Sequence, residues 1–359
     1  MEPVDPIYVE VRRGGLLESV HRVHAALVDA AGNLLAYAGD PRRVAYWRSA
    51  AKPLQLIPFV AAGGDRVYGL GPADLAVMAA SHHGEDAHVR QVQHILARTG
   101  FDEAALQCGA HPPIDREAAE RLLRAGEKPR PIHNNCSGKH AGMLAHARLL
   151  GADPARYREP DHPVQRRILE TIAAFAGIGQ EEVALGVDGC GVPVFALPLA
   201  AMARAYARLS RPEAAEGALA LSFASADEIS AAAARVVAGM QAHPHLVAGR
   251  GSANTAMLEA LSPAIVAKGG AEGVYCLGHT SGWGIALKVE DGGQRAAAPA
   301  ALELLALLGF VDDADPRWDE HRRPRVLNVA GRVVGEIVPV LADALRRRGQ
   351  ELRQAWARG

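Results

Sequence analysis

The sequence lacks an excess of charge of either sign. Among its 359 residues, 39 are basic (Lys and Arg) and 40 are acidic, which gives a formal net charge of −1. A protein that binds the phosphate backbone of nucleic acids usually presents a basic surface, so this balance argues against a nucleic-acid partner. The hydrophobic fraction of 49% is typical of a globular protein with a large core.

Long apolar segments are also absent. No stretch approaches the roughly 18 consecutive apolar residues that a membrane-spanning helix needs. The segment from Met1 to Arg13 contains acidic residues where a signal peptide has a basic start followed by an apolar run. We therefore predict a cytoplasmic protein with no membrane partner.

Cysteine is scarce, with only Cys108, Cys136, Cys190 and Cys276. Without an export signal, so few cysteines in so long a chain do not indicate a disulfide framework, and we predict reduced thiols. Cys108 and Cys276 fit buried core positions. Cys190 lies in a glycine-rich loop, which predicts an exposed thiol.

Strand patterns occur near both ends of the chain, and helical periodicity dominates between them. The predicted strands are Ile7 to Val11, Val20 to Val28, Leu34 to Tyr37, Ile265 to Ala267, Gly273 to Leu277, Gly284 to Val289 and a hairpin within Arg325 to Val338. One short buried strand, Val183 to Val187, is predicted among the helices. Ala-rich helical segments are predicted from Glu213 to about Gln241 and from Asn254 to Leu261.

The economical architecture is an α/β (α+β) fold in one catalytic domain, residues 1–359. Its antiparallel sheet comes from about 1–48 and 262–340, and a mainly helical part comes from about 49–261. Helices flank the sheet in this arrangement.

The first chemical motif is Ser49-Ala50-Ala51-Lys52, at the predicted start of a helix. Residues three apart share a helical face, so a lysine amine in its neutral form could activate the serine hydroxyl. Taken alone, the pattern is better explained by a capping serine and an exposed lysine.

A second motif, Lys268-Gly269-Gly270, follows a predicted strand. An SxxK motif early and a KxG motif late is the order found in penicillin-binding proteins and serine β-lactamases. Ser81 lies between them as a second candidate hydroxyl, although a helix cap would also explain it. No Ser-Asp-Asn triplet accompanies these motifs, which argues against a simple penicillin-interacting enzyme.

A third group contains Cys136, Lys139 and Cys190. Thiols with a nitrogen donor suit zinc, but no CxxC or HxxxH spacing is present. Two unrelated loop cysteines remain an alternative.

Together these segments resemble the asparaginases of the Rhizobium etli type, also called the asparaginase II family. The matching segments, in the family's order, are Arg48 to Pro53, Ser81 to Glu85, Asn134 to His140, Asp188 to Pro193 and Lys268 to Gly273. The resemblance extends from about Val9 to Val338.

The resemblance implies hydrolysis of L-asparagine to L-aspartate and ammonia, on a fold similar to serine β-lactamases and glutaminases, in a homodimer. It implies two serine and lysine pairs in one site, Ser49 with Lys52 and Ser81 with Lys268. It also implies a zinc ion on Cys136, Lys139 and Cys190 that assists rather than forms the catalytic core.

Charge suggests substrate-binding roles within the matched segments. Arg48 or His140 would bind the substrate carboxylate, and Asp188 would bind its ammonium group. The stretch from Ala248 to Thr255 is expected near the site, without assigned roles. We favour Ser49 as the nucleophile because its lysine is three residues away, and Ser81 is the competing candidate.

Two alternatives remain open. One is a glutaminase or another hydrolase of small amides or β-lactams, because one methylene of side-chain length gives little discrimination. The other is a noncatalytic zinc or amino-acid sensor. The intact serines and lysines argue against a sensor, which needs no paired nucleophile and base.

Overall fold

The computed structural model describes residues 4–215, 217–312, 314–356 and 358, and these form eleven strands and fourteen α-helices. The strands are β1 Ile7–Arg13, β2 Leu16–Asp29, β3 Leu34–Ala38, β4 Val44–Tyr46, β5 Ala184–Val187, β6 Pro193–Pro198, β7 Ile265–Gly270, β8 Val274–His279, β9 Trp283–Val289, β10 Arg325–Leu327 and β11 Val333–Val340. The helices are α1 Lys52–Ala61, α2 Gly64–Tyr68, α3 Pro72–Met78, α4 Asp86–Thr99, α5 Arg116–Arg124, α6 Ser137–Leu149, α7 Pro163–Ala176, α8 Leu199–Ser210, α9 Ala226–Ala242, α10 Pro244–Val247, α11 Ala253–Leu261, α12 Gln294–Leu307, α13 Asp319–Arg322 and α14 Asp343–Trp356.

The large sheet is antiparallel and is built from both ends of the chain, as predicted. Its strand order is β10-β11-β1-β2-β9-β8-β7, with β3 also paired to β2. The predicted hairpins β2–β3 and β10–β11 and the consecutive strands β7, β8 and β9 are all present. The fold-class prediction, an antiparallel sheet flanked by helices with a large helical part, is therefore confirmed.

Helices α8 and α12 both contact strands β8 and β9, which are buried along nearly their whole length. Gly278 and Gly284 face each other across these two strands. A Cβ atom on Gly278 would lie 2.3 Å from Tyr206 O, and one on Gly284 would lie 2.1 Å from Ala203 O. The backbone of α8 therefore packs directly on the sheet, which any side chain at these two positions would prevent.

Three details differ from the predicted organisation. A small sheet, β4-β6-β5, was predicted only in part, because β5 matches the predicted strand Val183 to Val187 whereas β4 and β6 were not predicted. Its strand β5, predicted as buried, is a largely exposed edge strand, because only β6 pairs with it. Helix α12 lies within the part predicted to be sheet, and α9 begins at Ala226 rather than near Glu213.

Helix α1 is the central element of the helical part. Every residue from Lys52 to Val60 is buried, and α6, α7 and α9 contact the helix. Strand β7, at one edge of the large sheet, contacts α11 and the short 3-10 helix Arg48–Ala51 that precedes α1. The sequence motifs are thus brought together where this edge meets the helices. No helix in the described residues has the length and apolar character needed to cross a bilayer.

Candidate active site

The hydroxyl of Ser81 lies between two lysine amines. Lys52 Nζ is 2.9 Å from Ser81 Oγ, and Lys268 Nζ is 3.1 Å from the same oxygen. Lys52 is the first residue of α1, Ser81 follows α3, and Lys268 lies on β7. Three elements far apart in sequence thus supply one hydroxyl and two candidate bases.

Both lysines are almost completely buried, with exposed fractions of 1% for Lys52 and 2% for Lys268. Burial disfavours the charged form of an amine and lowers its pKa. The pKa of Lys268 falls well below 10.5, through burial first and then through the positive charge of Lys52. Burial also lowers the pKa of Lys52, but Cys136 opposes this shift.

The hydrogen-bonding neighbours of the two amines agree with the stronger lowering of the pKa at Lys268. Lys52 Nζ lies 2.6 Å from Ala80 O and 3.4 Å from Asn135 O, in addition to Ser81 Oγ. These three oxygens suit the three N–H donors of an ammonium group. Lys268 Nζ has one carbonyl neighbour, Gly269 O at 2.8 Å. That arrangement leaves a neutral amine free to direct its lone pair at Ser81.

Ser49 is placed differently from the sequence-based expectation. Ser49 is partly exposed, and in the described part of the chain its hydroxyl makes no hydrogen bond to a lysine. Arg48, immediately before it, has a left-handed backbone with φ of 53°, an uncommon conformation for a residue with a side chain. The amine of Lys52 is directed at Ser81 instead, so the lysines of both predicted pairs contact the hydroxyl of Ser81.

Backbone hydrogen bonds hold the Ser81 segment in place. Ser81 N donates to Val247 O at 3.0 Å, and His83 N donates to Ala248 O at 2.7 Å. His82 Nδ1 accepts from Gly84 N at 3.2 Å, so its Nε2–H donates to Ser137 Oγ at 2.8 Å. The N–H of Ser81 is thereby committed to a carbonyl and is not free to bind an oxyanion.

The three predicted metal ligands do come together. Lys139 Nζ lies 3.1 Å from Cys190 Sγ, and all three side chains are buried. A hydrogen bond from Cys190 lowers the pKa of Cys136 well below its usual value. Burial alone would lower the pKa of Lys139, but the two sulfurs raise it above its usual range. Cys190 is only 6% exposed, so the expectation of an exposed thiol there is wrong.

Two of the predicted substrate-binding residues pair with each other. Arg48 Nε donates to Asp188 Oδ1 at 2.9 Å. Burial alone would raise the pKa of Asp188, but the charge of Lys139, a hydrogen bond from Gly189 N and the charge of Arg48 lower it. Asp188 therefore stays a carboxylate beside the site.

His140 is more deeply buried than binding of the substrate carboxylate would require. It is completely buried, and its Nδ1 lies 2.5 Å from the hydroxyl of Tyr157. Burial, and then the charge of Lys139, lower the pKa of His140 well below 6.5. The imidazole is therefore neutral near pH 7 and would contribute a hydrogen bond rather than a charge.

Asn254 is a site residue that sequence reasoning left unassigned. Its Oδ1 accepts from Gly269 N at 3.0 Å and from Tyr275 Oη at 3.2 Å. It thereby fixes the backbone of β7 next to Lys268. The only sequence signal was its place in the Ala248 to Thr255 stretch, where Ser252 caps α11 through a contact to Asn254 N.

Comparisons with known proteins identify a family and several similar structures. The sequence model of the L-asparaginase II family matches residues 9–339. A comparison with curated proteins finds no match. A crystal structure of Mglu in its native form is similar at 19% identity, over 82% of this chain and 66% of that one, with a TM-score of 0.44. Mglu in its tris and glutamate form matches at 18% identity, over 88% and 65% of the two chains, with a TM-score of 0.44. This chain thus spans about two thirds of the length of those proteins.

Proposed function

The chain belongs to the L-asparaginase II family, a family of amidohydrolases, and we propose that its own reaction is the hydrolysis of L-asparagine to L-aspartate and ammonia. The observation that supports this most directly is the contact of Ser81 Oγ with two buried lysine amines. A serine hydroxyl is a weak nucleophile until a base takes its proton, and a desolvated lysine can act as that base.

In the proposed mechanism the two lysines have different roles. Lys52, as an ammonium group, donates a hydrogen bond to Ser81 Oγ and stabilises negative charge that develops there. Lys268, as a neutral amine, accepts the Ser81 hydrogen. The lower pKa of Lys268 and the three oxygens around Lys52 support this division.

The reaction then proceeds in two stages. Ser81 Oγ attacks the side-chain amide carbon of asparagine while Lys268 takes the proton. The tetrahedral intermediate collapses, the carbon–nitrogen bond breaks, and Lys268 returns the proton to the departing ammonia. Water then attacks the aspartyl ester with Lys268 as base again, which releases aspartate and restores the Ser81 hydroxyl.

Two charged side chains of the site are complementary to the charged ends of the substrate. Arg48 would bind the α-carboxylate and Asp188 the α-ammonium. Their mutual ion pair at 2.9 Å holds both side chains beside the site before substrate arrives. His140 is completely buried against Tyr157, so we do not assign it a contact with the substrate.

The test measures ammonia release from L-asparagine and L-glutamine, and ring opening of a β-lactam panel followed by ultraviolet absorbance. We expect turnover of asparagine, with glutamine slower by roughly 10- to 200-fold, the discrimination that one methylene typically provides. Turnover of β-lactams alone would place the protein with the penicillin-type enzymes. Inactivity on every compound, with amino-acid binding retained, would indicate a sensor.

We further propose that Cys136, Lys139 and Cys190 hold a zinc ion, as in the Rhizobium etli type of the family. The donor set fits, since two thiols and a lysine nitrogen meet in one buried cluster and thiolate sulfur favours zinc over harder cations. The charge of the ion would replace the proton that the two sulfurs otherwise hold on Lys139. Bound zinc would supply a positive charge beside the site that favours binding of the substrate carboxylate.

Elemental analysis of the purified protein tests the zinc proposal. We expect stoichiometric zinc in the wild-type protein and its loss in a C136S/C190S double variant, because serine is a much poorer zinc ligand than thiolate. The C108S variant is the matched control and should retain its zinc. Zinc-free wild-type protein with full activity after chelation would contradict the proposal.

A further inference from the structure

Glu85, the last residue of the Ser81 to Glu85 motif, has no part in the mechanism above, yet its carboxylate is 9% exposed and makes several contacts. Its Oε1 accepts from Arg250 N at 2.9 Å. Its Oε2 lies 3.1 Å from His245 Nε2 and 3.1 Å from Arg250 Nε. One carboxylate thus ties the Ser81 segment to both the backbone and the side chain of Arg250.

Arg250 also reaches outward to helix α5. Its Nη2 donates to Glu117 Oε2 at 2.9 Å and lies 3.5 Å from Asp115 Oδ1. The side chain is 56% exposed, so it spans from the buried Glu85 to the surface. Arg250 therefore anchors the 248–252 loop to both Glu85 and α5.

The loop around Arg250 depends on its glycines. Gly249 has φ of 138°, which side-chain-bearing residues rarely adopt. A Cβ atom there would lie 2.6 Å from Glu85 Oε1 and 2.8 Å from His83 Cβ. The loop can approach Glu85 only with glycine at this position. Gly251, on the other side of Arg250, has φ of 66°.

Both ends of this anchored segment reach the reacting groups. On its N-terminal side, Val247 O accepts from Ser81 N at 3.0 Å. On its C-terminal side, Asn254 Oδ1 accepts from Gly269 N at 3.0 Å, next to Lys268. The position of the loop therefore bears on the serine and on its base together.

We propose that Glu85 and Arg250 form a latch that positions Ser81 and Lys268 for proton transfer in the amidohydrolase reaction. Both are positioning residues, since they act through the loop and touch neither the hydroxyl nor the amine. The inference rests on the proposed function, because it assigns the latch to that same site.

A metal site is the competing interpretation of the same residues. The ligand atoms of Glu85, His88 and His245 lie within 4.8 Å of one another. Both carboxylate oxygens of Glu85 are already occupied by hydrogen bonds from Arg250 and His245, and the guanidinium charge opposes a cation. The contacts therefore favour a latch.

The kinetic test compares E85Q, R250A and R250K with the wild type. We expect E85Q and R250A to lower kcat by about 10- to 100-fold with little change in KM, as misplacement of reacting groups does. R250K should keep more activity than R250A. Guanidinium ion at low concentration should restore part of the activity of R250A but not of E85Q, because only R250A leaves an accessible vacancy beside Glu85.

The matched control is R116A, which removes an exposed arginine that lies on α5 and does not contact Glu85, and it should leave kcat unchanged. Hydrogen exchange provides a readout that needs no substrate. We expect faster exchange at the amides of 248–252 and of Ser81 in E85Q and R250A. If both variants lose only thermal stability, with wild-type kcat and exchange, the latch is refuted. A different outcome is a wild type that fails to hydrolyse asparagine while E85Q and R250A show the expected faster exchange. In that case the proposed function is wrong, but Glu85 and Arg250 still hold the 248–252 loop and Ser81 in position.

Discussion

Replacing Ser81 with alanine is expected to lower kcat by at least about 10⁴-fold, the scale of loss when a serine hydrolase loses its nucleophile. The variant removes the only hydroxyl that contacts both lysine amines in the described part of the chain. It should still bind substrate, because Arg48 and Asp188 are untouched. The measurement is steady-state ammonia release, with substrate affinity determined separately by calorimetry.

The matched control is the corresponding change at Ser49, the other serine of the site. We expect S49A to lose about 10²- to 10³-fold at most, the usual cost of one hydrogen-bond donor to the transition state. Mass spectrometry of a rapidly quenched reaction should locate the aspartyl ester on the peptide that contains Ser81. The assignment would be reversed if the S49A variant were inactive and the ester of the wild-type protein lay on the Ser49 peptide. Ser81 would then act as a proton relay.

The choice between the serines shows where sequence reasoning ends. Spacing in an SxxK motif predicts that Ser49 and Lys52 share a helical face, and both do lie at the start of the α1 region. However, residues 48–51 form a 3-10 helix, and the hydroxyl that contacts Lys52 Nζ belongs to Ser81, which follows α3. A contact between residues 29 positions apart depends on tertiary packing, which local spacing does not encode.

The sheet was easier to predict than the connections within the helical part. Alternating and continuous apolar runs identify β1 and β7 to β9 because each strand has its own periodicity. Two strands of the small sheet were missed because β4 has only three residues and β6 begins and ends at a proline. The role of Asn254 was missed for a related reason, since its partner Gly269 is 15 residues away on another element.

Replacing Lys268 with arginine is expected to lower kcat by about 10²- to 10⁴-fold, the range that a general base contributes. Arginine keeps the positive charge but does not lose its proton in proteins, so it cannot accept the hydrogen of Ser81. The corresponding K52R variant is the control. Lys52 is assigned an ammonium role that a guanidinium can partly replace, so K52R should retain more activity, with folding of both variants checked by circular dichroism.

The pH dependence supplies the second half of this test. The neutral form of Lys268 is the active one, so wild-type kcat/KM should rise with pH as the amine loses its proton. Because burial and the charge of Lys52 hold the pKa of Lys268 well below 10.5, the rising limb should lie well below that pH. In K268R this limb should disappear. A rising limb that persists unchanged in K268R, together with near-normal kcat, would show that another group takes the proton from Ser81.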